Sequence, residues 1–268
     1  MNTQPSQPVG QLLRGWRQRR RLSQLELAVE AEISPKHLSF LETGRSTPSR
    51  DMLLRLAEQL DVPLREQNIL LVAAGYAPVF GERPLDAPDL QAARQAADLV
   101  LTGHEPYPAL ALDRHWNLLA ANRAVPPLLV GIAPELLRPP VNVIRLCLHP
   151  AGLAPRIANY ALWRAHLLAR LRRQIEISAD NGLIELLREI TAYPVPAQHS
   201  RSHAPPHSGE LVVVPLRLHS EAGELSFIST TTVFGTPLDI TVAELAIESF
   251  FPADAATAEV MRRNLEQP

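Results

Sequence analysis

Cysteine is almost missing from this sequence, since Cys147 is the single cysteine among 268 residues. A lone cysteine excludes an intramolecular disulfide and fits a reducing compartment, so we expect a cytoplasmic protein. The chain also lacks a signal peptide and an apolar stretch long enough to cross a bilayer, so we expect no membrane partner. Its formal net charge of −2 argues against non-specific coating of nucleic acid by a strongly basic surface.

Sequence motifs of catalysis and metal binding are also missing. There is no G-x-S-x-G, no phosphate-binding loop and no H-E-x-x-H. Histidine recurs every four residues at His199, His203 and His207, a spacing that would suit a metal site on a helix. Prolines interrupt this stretch, however, and favour a loop over a helix. We therefore expect no catalytic residue, no metal site and no enzymatic activity.

The length and composition leave room for two domains, because 46 % of the 268 residues are hydrophobic. The clearest linker is the proline- and glycine-containing stretch Gly75–Pro88. We predict an α+β protein overall, with an all-α five-helix domain followed by an α+β domain. The predicted boundaries are a first domain over 1–76, a linker over 77–88, a connecting helix over 89–104 and a second domain over 105–268.

Signals for the start of a helix recur between residues 23 and 49. Ser23 and Glu26 have the spacing of a capping box, which predicts a helix directly after Ser23. Ser34 followed by Pro35 predicts a second start, because serine caps helices and proline is favoured at the first helical position. Periodic apolar residues predict three further helices, over Gln11–Arg21, from Ser49 to about residue 60, and over Leu64–Ala74.

A helical wheel separates two faces of the second helix of the pair. Leu38 and Leu41 face inward, towards the core. The outward face contains Pro35, Lys36, Ser39, Phe40 and Thr43, flanked by His37. An outward phenyl ring needs a partner, and two candidates stay open for Phe40: a thymine methyl group, or a neighbouring element of the same domain.

Two short helices joined by a turn are a common way to place a helix in the major groove of DNA. We therefore predict a double-stranded DNA operator as partner, read by the outward face that begins at Ser34. Gln24, at a helix N-terminus, could hold a phosphate group. Three arginines flank the motif and could bind backbone phosphates: Arg17, Arg21 and Arg45.

Residues 9–76 resemble the lambda-repressor-like helix-turn-helix domains of the XRE regulator family. The resemblance rests on spacing, helix caps and the exit motif, in Gln24, Leu27, Ala28, Ile33, Ser34, Leu38, Leu41-Glu42-Thr43-Gly44-Arg45 and Pro48-Ser49. It implies that the helix carrying Pro35–Thr43 enters the major groove and that Gln24 touches the DNA backbone. Lys36 and Phe40 replace glutamines that other members use for base contacts, so the operator sequence does not follow.

The second domain mixes helices and strands, which predicts an antiparallel sheet with helices packed to one side. The predicted helices are Asp89–Thr102, a short one within Arg123–Val130, Leu153–Ile177, Asn181–Thr191 and Ala255–Asn264. The predicted strands are Ala109–Asp113, His115–Ala121, Glu210–His219, Glu224–Phe234 and Leu238–Ile247. A loop is expected over Tyr193–Gly209, and an extended segment around Arg145.

Residues 105–265 are similar to the ligand-binding domain of MmyB-like regulators, and the first two strands look like the start of a PAS domain. The similarity rests on His115-Trp116, Ala121-Asn122, Asn142-Val143-Ile144-Arg145-Leu146, His149-Pro150, Trp163-Arg164, Leu171-Arg172-Arg173-Gln174, Phe234-Gly235-Thr236-Pro237 and Phe251-Pro252-Ala253-Asp254. It implies a PAS-like sheet around an apolar cavity, with a fatty acid or a similar small apolar molecule as ligand and no other cofactor.

Nine apolar residues are candidates to line such a cavity: Trp116, Leu118, Leu129, Ile144, Leu146, Trp163, Leu167, Val213 and Phe227. For any single one of them, packing in the core is the more common role. Arg145 and Arg164 are the first candidates to meet a carboxylate head group. They and the nine apolar residues form the predicted ligand site.

Three hypotheses for the whole chain follow. The first is a DNA-binding transcription regulator that responds to a small apolar ligand and acts as a homodimer, with the helix Asp89–Thr102 joining the domains. The second is a helix-turn-helix protein whose second domain is a protein-interaction module. The third is an enzyme with an accessory helix-turn-helix domain, which would need a reactive set of residues within 105–265.

Overall fold

The computed structural model describes residues 7–196 and 213–266. These residues divide into two compact units, of which the first consists of the chain up to Arg83 with Glu176–Ala179 and Leu238–Ile240, and the second of most of the remainder. Among the described residues, no helix is both long and apolar enough to span a membrane. Each unit is described below by itself.

Helices build the first unit, as the apolar periodicity predicts. They are α1 (Val9–Arg19), α2 (Gln24–Glu30), α3 (Pro35–Glu42), α4 (Arg50–Gln59) and α5 (Leu64–Ala73). One hydrophobic core joins them, built mainly from Leu13, Trp16, Leu27, Leu38, Leu41, Leu53, Leu56, Leu70 and Leu71. Gly10 lies where α1 crosses the end of α3, because a Cβ atom there would come within 2.3 Å of the Leu41 carbonyl oxygen.

A five-stranded antiparallel sheet forms the centre of the second unit, in the order β2-β1-β5-β4-β3. Its strands are β1 (Ala109–Leu112), β2 (Leu118–Ala121), β3 (Leu216–Ser220), β4 (Gly223–Val233) and β5 (Ala246–Pro252). The helices are α6 (Gln91–Gly103), α7 (Val143–Leu148), α8 (Tyr160–Ser178), α9 (Asn181–Thr191), α10 (Ile240–Ala243) and α11 (Ala255–Glu266). This architecture confirms the predicted α+β class.

The two faces of β1 serve different parts of this unit. Leu110 and Leu112 belong to the large core beneath the sheet. Ala109 and Ala111 point to the other face, where they pack with Ala97 and Leu101 of α6 and with Ile247. This alternation follows from the period of two in a β-strand. Strand β1 therefore separates the large core from α6.

Several predicted elements differ from the observed ones. The predicted strand Leu238–Ile247 is wrong, because α10 occupies its first half and β5 follows it. The register of β5 is set by pairing with β1, in which Ala109 faces Ser249, and a pattern read along one segment cannot show such pairing. The predicted helix from Leu153 begins instead at Tyr160, because Ile157 bridges to Leu218 of β3.

Two shorter segments also needed correction. The segment around Arg145 is not extended but forms α7, whose first turn is capped by Asn142: its Oδ1 accepts the Arg145 N–H at 3.1 Å. The predicted short helix within Arg123–Val130 is a 3-10 turn over Pro126–Leu129. The three histidines at 199, 203 and 207, and the first part of the strand predicted from Glu210, lie outside the described residues.

Candidate functional site

Serine caps fix the two helices of the helix-turn-helix motif. Both bonds of the predicted capping box form: Ser23 Oγ accepts the Glu26 N–H at 3.1 Å, and Glu26 Oε2 accepts the Ser23 N–H at 2.6 Å. Ser34 Oγ accepts the His37 N–H at 3.1 Å, and Pro35 occupies the first position of α3. The sequence therefore fixes where α3 begins, and with it the side chains that its outward face presents.

The outward face of α3 has the residues that the wheel predicts. Leu38 and Leu41 are fully buried beneath it. Pro35, Lys36 and Thr43 are exposed, whereas His37, Ser39 and Phe40 are half-buried. Thr43 donates its hydroxyl to the Ser39 carbonyl oxygen at 2.7 Å, so its methyl group is the part left for a partner.

Phe40 lies beside two cations. Lys36 Nζ and the Arg45 guanidinium carbon are each 5.7 Å from the centre of its ring. A cation near an aromatic face is attracted to the ring electrons. Phe40 therefore holds Lys36 and Arg45 close to the outward face of α3, a contact that the sequence analysis did not foresee.

Arg17 does not belong in the predicted set of phosphate-binding residues. Its side chain is buried, with the residue only 9 % exposed, and its Nε and Nη2 donate to Glu42 at 2.6 and 2.9 Å. Its Nη1 donates to the Leu22 carbonyl oxygen at 2.8 Å. A guanidinium engaged in this way braces α1 against α3 and is not available to DNA phosphates.

The Glu42 carboxylate accepts a hydrogen bond from a second side chain: Gln24 Nε2 donates to its Oε2 at 2.8 Å. Burial raises the pKa of this carboxyl, but the hydrogen bonds from Arg17 and Gln24 outweigh that effect and leave the pKa below its ordinary value. Gln24 is thus tied to α3 through one amide hydrogen. Arg21 and Arg45 are exposed and stay candidates for phosphate contacts.

A cavity of about 60 Å³ lies under the sheet of the second unit. Every side chain on its wall is apolar or a thiol: Pro108, Leu110, Leu118, Val125, Leu128, Leu129, Val143, Leu146, Cys147, Leu153, Leu216, Leu218, Phe227 and Phe250. An engineered apolar cavity of about 150 Å³ binds benzene, so this smaller space would have to widen around an acyl chain.

Four of the nine predicted apolar residues line this cavity: Leu118, Leu129, Leu146 and Phe227. Four others belong to the surrounding core and do not reach the wall: Trp116, Ile144, Trp163 and Leu167. Val213 is 45 % exposed and lies outside the cavity. The wall residues that were missed include Leu110, Leu218 and Phe250, whose alternation along strands was the available signal.

The two arginines predicted to meet a head group are bound elsewhere. Arg145 Nε and Nη2 donate to Glu189 at 2.8 and 2.6 Å, and these bonds lower the pKa of the Glu189 carboxyl. Arg164 Nη2 donates to the carbonyl oxygens of Ile190 and Thr191, at 3.5 and 3.1 Å, near the C-terminal end of α9. Neither residue lines the cavity.

Two family models match this chain, one in each unit. Residues 93–263 match the family model of the MmyB-like transcription regulator ligand binding domain, over more than half of the chain. The chain belongs to the MmyB-like transcription regulator family. Residues 13–67 match the helix-turn-helix family, which confirms the resemblance read from the motif around α2 and α3.

A stretch of this MmyB-like regulator is similar to a curated protein. Over 61 residues, 23 % of the chain, it is 36 % identical to multiprotein-bridging factor 1 of Candida albicans. The aligned stretch spans only 40 % of that protein's length.

Within the described residues, no group of three or more histidine, cysteine, aspartate or glutamate side chains could hold a metal ion.

Cys147 contributes a sulfur atom to the cavity wall of this MmyB-like regulator, and burial raises the pKa of its thiol to about 12. The thiolate is the reactive form, and a rise from the ordinary value of 9.0 lowers its fraction ~1,000-fold at neutral pH. We expect iodoacetamide to alkylate Cys147 at least ~100-fold more slowly in the folded protein than in urea. Equal rates of alkylation, followed by mass spectrometry at pH 8, would contradict this burial.

Proposed function

We propose that this chain is a sequence-specific, DNA-binding transcription regulator whose second unit senses a small apolar ligand of the fatty-acid type. The observation that carries the proposal is the presence, in one chain, of an outward α3 face with the exposed cations Lys36 and Arg45 and of a cavity lined by apolar side chains and one thiol. The DNA partner is a double-stranded operator, and the protein works in the cytoplasm as a homodimer. No step of this function requires catalysis.

DNA is read by the outward face of α3. Its exposed N-terminal end, with Pro35 and Lys36, is the part that helix-turn-helix proteins direct at base edges. In such dimers the half-sites lie roughly 34–36 Å apart, so a small change in the separation of two α3 helices alters affinity. Because the two halves of a symmetric dimer read the same sequence, the operator is expected to be palindromic.

Ligand acts through the widening of the cavity. Leu110 of β1 lines the cavity, whereas its neighbours Ala109 and Ala111 pack against α6 on the other side of the sheet. An acyl chain that displaces Leu110 would therefore shift the packing of α6, the helix that follows the linker in the sequence. A ligand that binds only the widened form changes the populations of the two forms.

The experiment that tests this function combines footprinting on the DNA upstream of the protein's own coding region with native mass spectrometry after gentle purification. A protected palindromic site and a dimer carrying a lipid-sized molecule are the expected results. A chain that protects no DNA and binds a protein partner through its second unit would instead favour an interaction module.

Filling the cavity is expected to block ligand binding without unfolding the protein. Methionine is flexible and fills irregular gaps, so Cys147→Met places new atoms in the 60 Å³ space. We expect the affinity for decanoate, measured by isothermal titration calorimetry, to fall at least ~10-fold at a stability cost of about 1–3 kcal/mol. Leu186→Met, a buried change on α9 outside the cavity wall, is the matched control. Unchanged decanoate affinity in Cys147→Met would place the ligand elsewhere.

A further inference from the structure

The cavity has no place for the charged end of an amphipathic ligand. None of its wall residues carries a hydrogen-bonding side chain apart from the un-ionised thiol of Cys147. An ionised carboxylate without a partner is very costly to bury in such surroundings. A fatty acid whose tail enters the cavity must therefore leave its head group at the cavity's edge.

A second, larger cleft of about 710 Å³ adjoins the cavity at one point of its wall. Leu128 lines both spaces, and it belongs to the 3-10 turn Pro126–Leu129. Strand β3 also passes from one space to the other, because Leu218 lines the cavity and His219 lines the cleft. The cleft is therefore the adjoining space, with apolar and polar side chains on its wall, that a ligand extending past Leu128 would enter.

Arg156 is the arginine of this cleft, and three main-chain carbonyl groups hold it in place. Its Nη1 donates to the oxygens of Leu128 and Val130, at 2.9 and 3.1 Å. Its Nε donates to the His219 oxygen at 3.2 Å. The guanidinium thus joins the turn that closes the cavity to the end of β3.

A guanidinium has five N–H donors, and these bonds use three of them. The two donors on Nη2 have no acceptor among the described residues. A fixed guanidinium with two remaining donors suits a carboxylate, which arginine binds through charge-assisted hydrogen bonds. Among the described residues that line the cleft, Glu221 is the one with an acidic side chain, and it is exposed.

We propose that Arg156 is the residue that selects an anionic head group, with the tail of the ligand in the apolar cavity and its carboxylate on Nη2 in the adjoining cleft. The proposal rests on the proposed function, because it requires an acyl chain in the cavity. In this proposal Arg156 takes the role that the sequence analysis gave to Arg145 and Arg164, whose side chains are already bound at α9. The protein then distinguishes a fatty acid from an uncharged lipid of the same length.

The test compares decanoate with decan-1-ol, which share a chain length and differ in the head group. Isothermal titration calorimetry on the full chain would measure both affinities for the unmodified protein, Arg156→Gln and Arg156→Lys. Arg217→Gln is the matched control, because Arg217 lies on the same strand as His219 but pairs with Glu224 and lines neither space. Thermal unfolding of each variant establishes that it is folded.

We expect the unmodified protein and Arg217→Gln to bind decanoate about 10- to 100-fold more tightly than decan-1-ol. Arg156→Gln should lose this preference while its affinity for decan-1-ol stays within about threefold, and Arg156→Lys should retain part of it. The same preference in Arg156→Gln as in the unmodified protein would overturn the assignment and leave the proposed function standing. Failure of the unmodified protein to bind either compound would overturn both.

Discussion

Lys36→Ala is expected to weaken binding to the specific operator by ~10- to 100-fold and to change its sequence preference, because a base contact is worth about 1–3 kcal/mol. Lys36 is exposed at the start of α3, and within the described part of the chain it makes no hydrogen bond or ion pair. Its loss should therefore leave the folded unit intact. Binding to a selected site and to single-base variants of that site, measured by gel shift at one salt concentration, provides the comparison.

Arg45→Ala separates base reading from phosphate binding. Arg45 lies just beyond the C-terminal end of α3, so we expect it to contact the DNA backbone. Its removal should lower affinity about equally for all sequences and reduce the slope of log K against log salt by about 1. Arg55→Ala, which removes an exposed charge from α4, is the matched control for both variants.

An unchanged base preference in Lys36→Ala, with the protein folded, would reject the assignment of α3 to the groove.

Arg17→Met is expected to destabilise the first unit by about 3–5 kcal/mol, because it leaves the Glu42 carboxylate buried without its main partner. A small helical unit has only about 5–15 kcal/mol of total stability, so much of its DNA binding would be lost through unfolding. Amide hydrogen exchange of α1, α2 and α3, followed by mass spectrometry on the full chain, reports this unit separately from the other. Faster exchange in all three helices is the expected result.

The double variant Arg17→Met with Glu42→Leu is the control for this interpretation. Replacing both charges of a buried pair with apolar groups is often neutral or stabilising, so exchange should return towards that of the unmodified protein. The pKa of Glu42 lies below its ordinary value, so its stabilising effect is present at neutral pH and is lost as the pH falls through that lowered value. Equal exchange in the unmodified protein and in Arg17→Met would show that the pair does not brace the unit.

The helix-turn-helix unit could be predicted from the sequence almost completely, because its determinants are local. Ser23, Ser34 and Ser49 each cap a helix as their spacing indicates. Arg17 could not be placed in this way. Its partner is 25 residues away, and a wheel shows the direction of a side chain but not what a neighbouring helix brings to it.

The apolar cavity was predicted only in part, because its wall is drawn from several segments that are far apart in the sequence. Leu118, Leu129, Leu146 and Phe227 reach it, whereas Trp163 and Leu167, on the same domain's longest helix, fill the core instead. Size and hydrophobicity do not distinguish these two roles, since both require burial. Arg156 was missed for a related reason: its importance comes from the carbonyl groups of Leu128 and Val130, which carry no sequence signal.

The DNA affinity of the full chain, measured with and without saturating decanoate, tests the central claim of a ligand-controlled regulator most directly. Coupling between two sites is typically worth about 1–3 kcal/mol, so we predict that decanoate changes the operator affinity by about 5- to 150-fold. Cys147→Met, with its cavity filled, should show no such change. The same operator affinity and the same dimer with and without decanoate, in a protein that demonstrably binds it, would contradict the account.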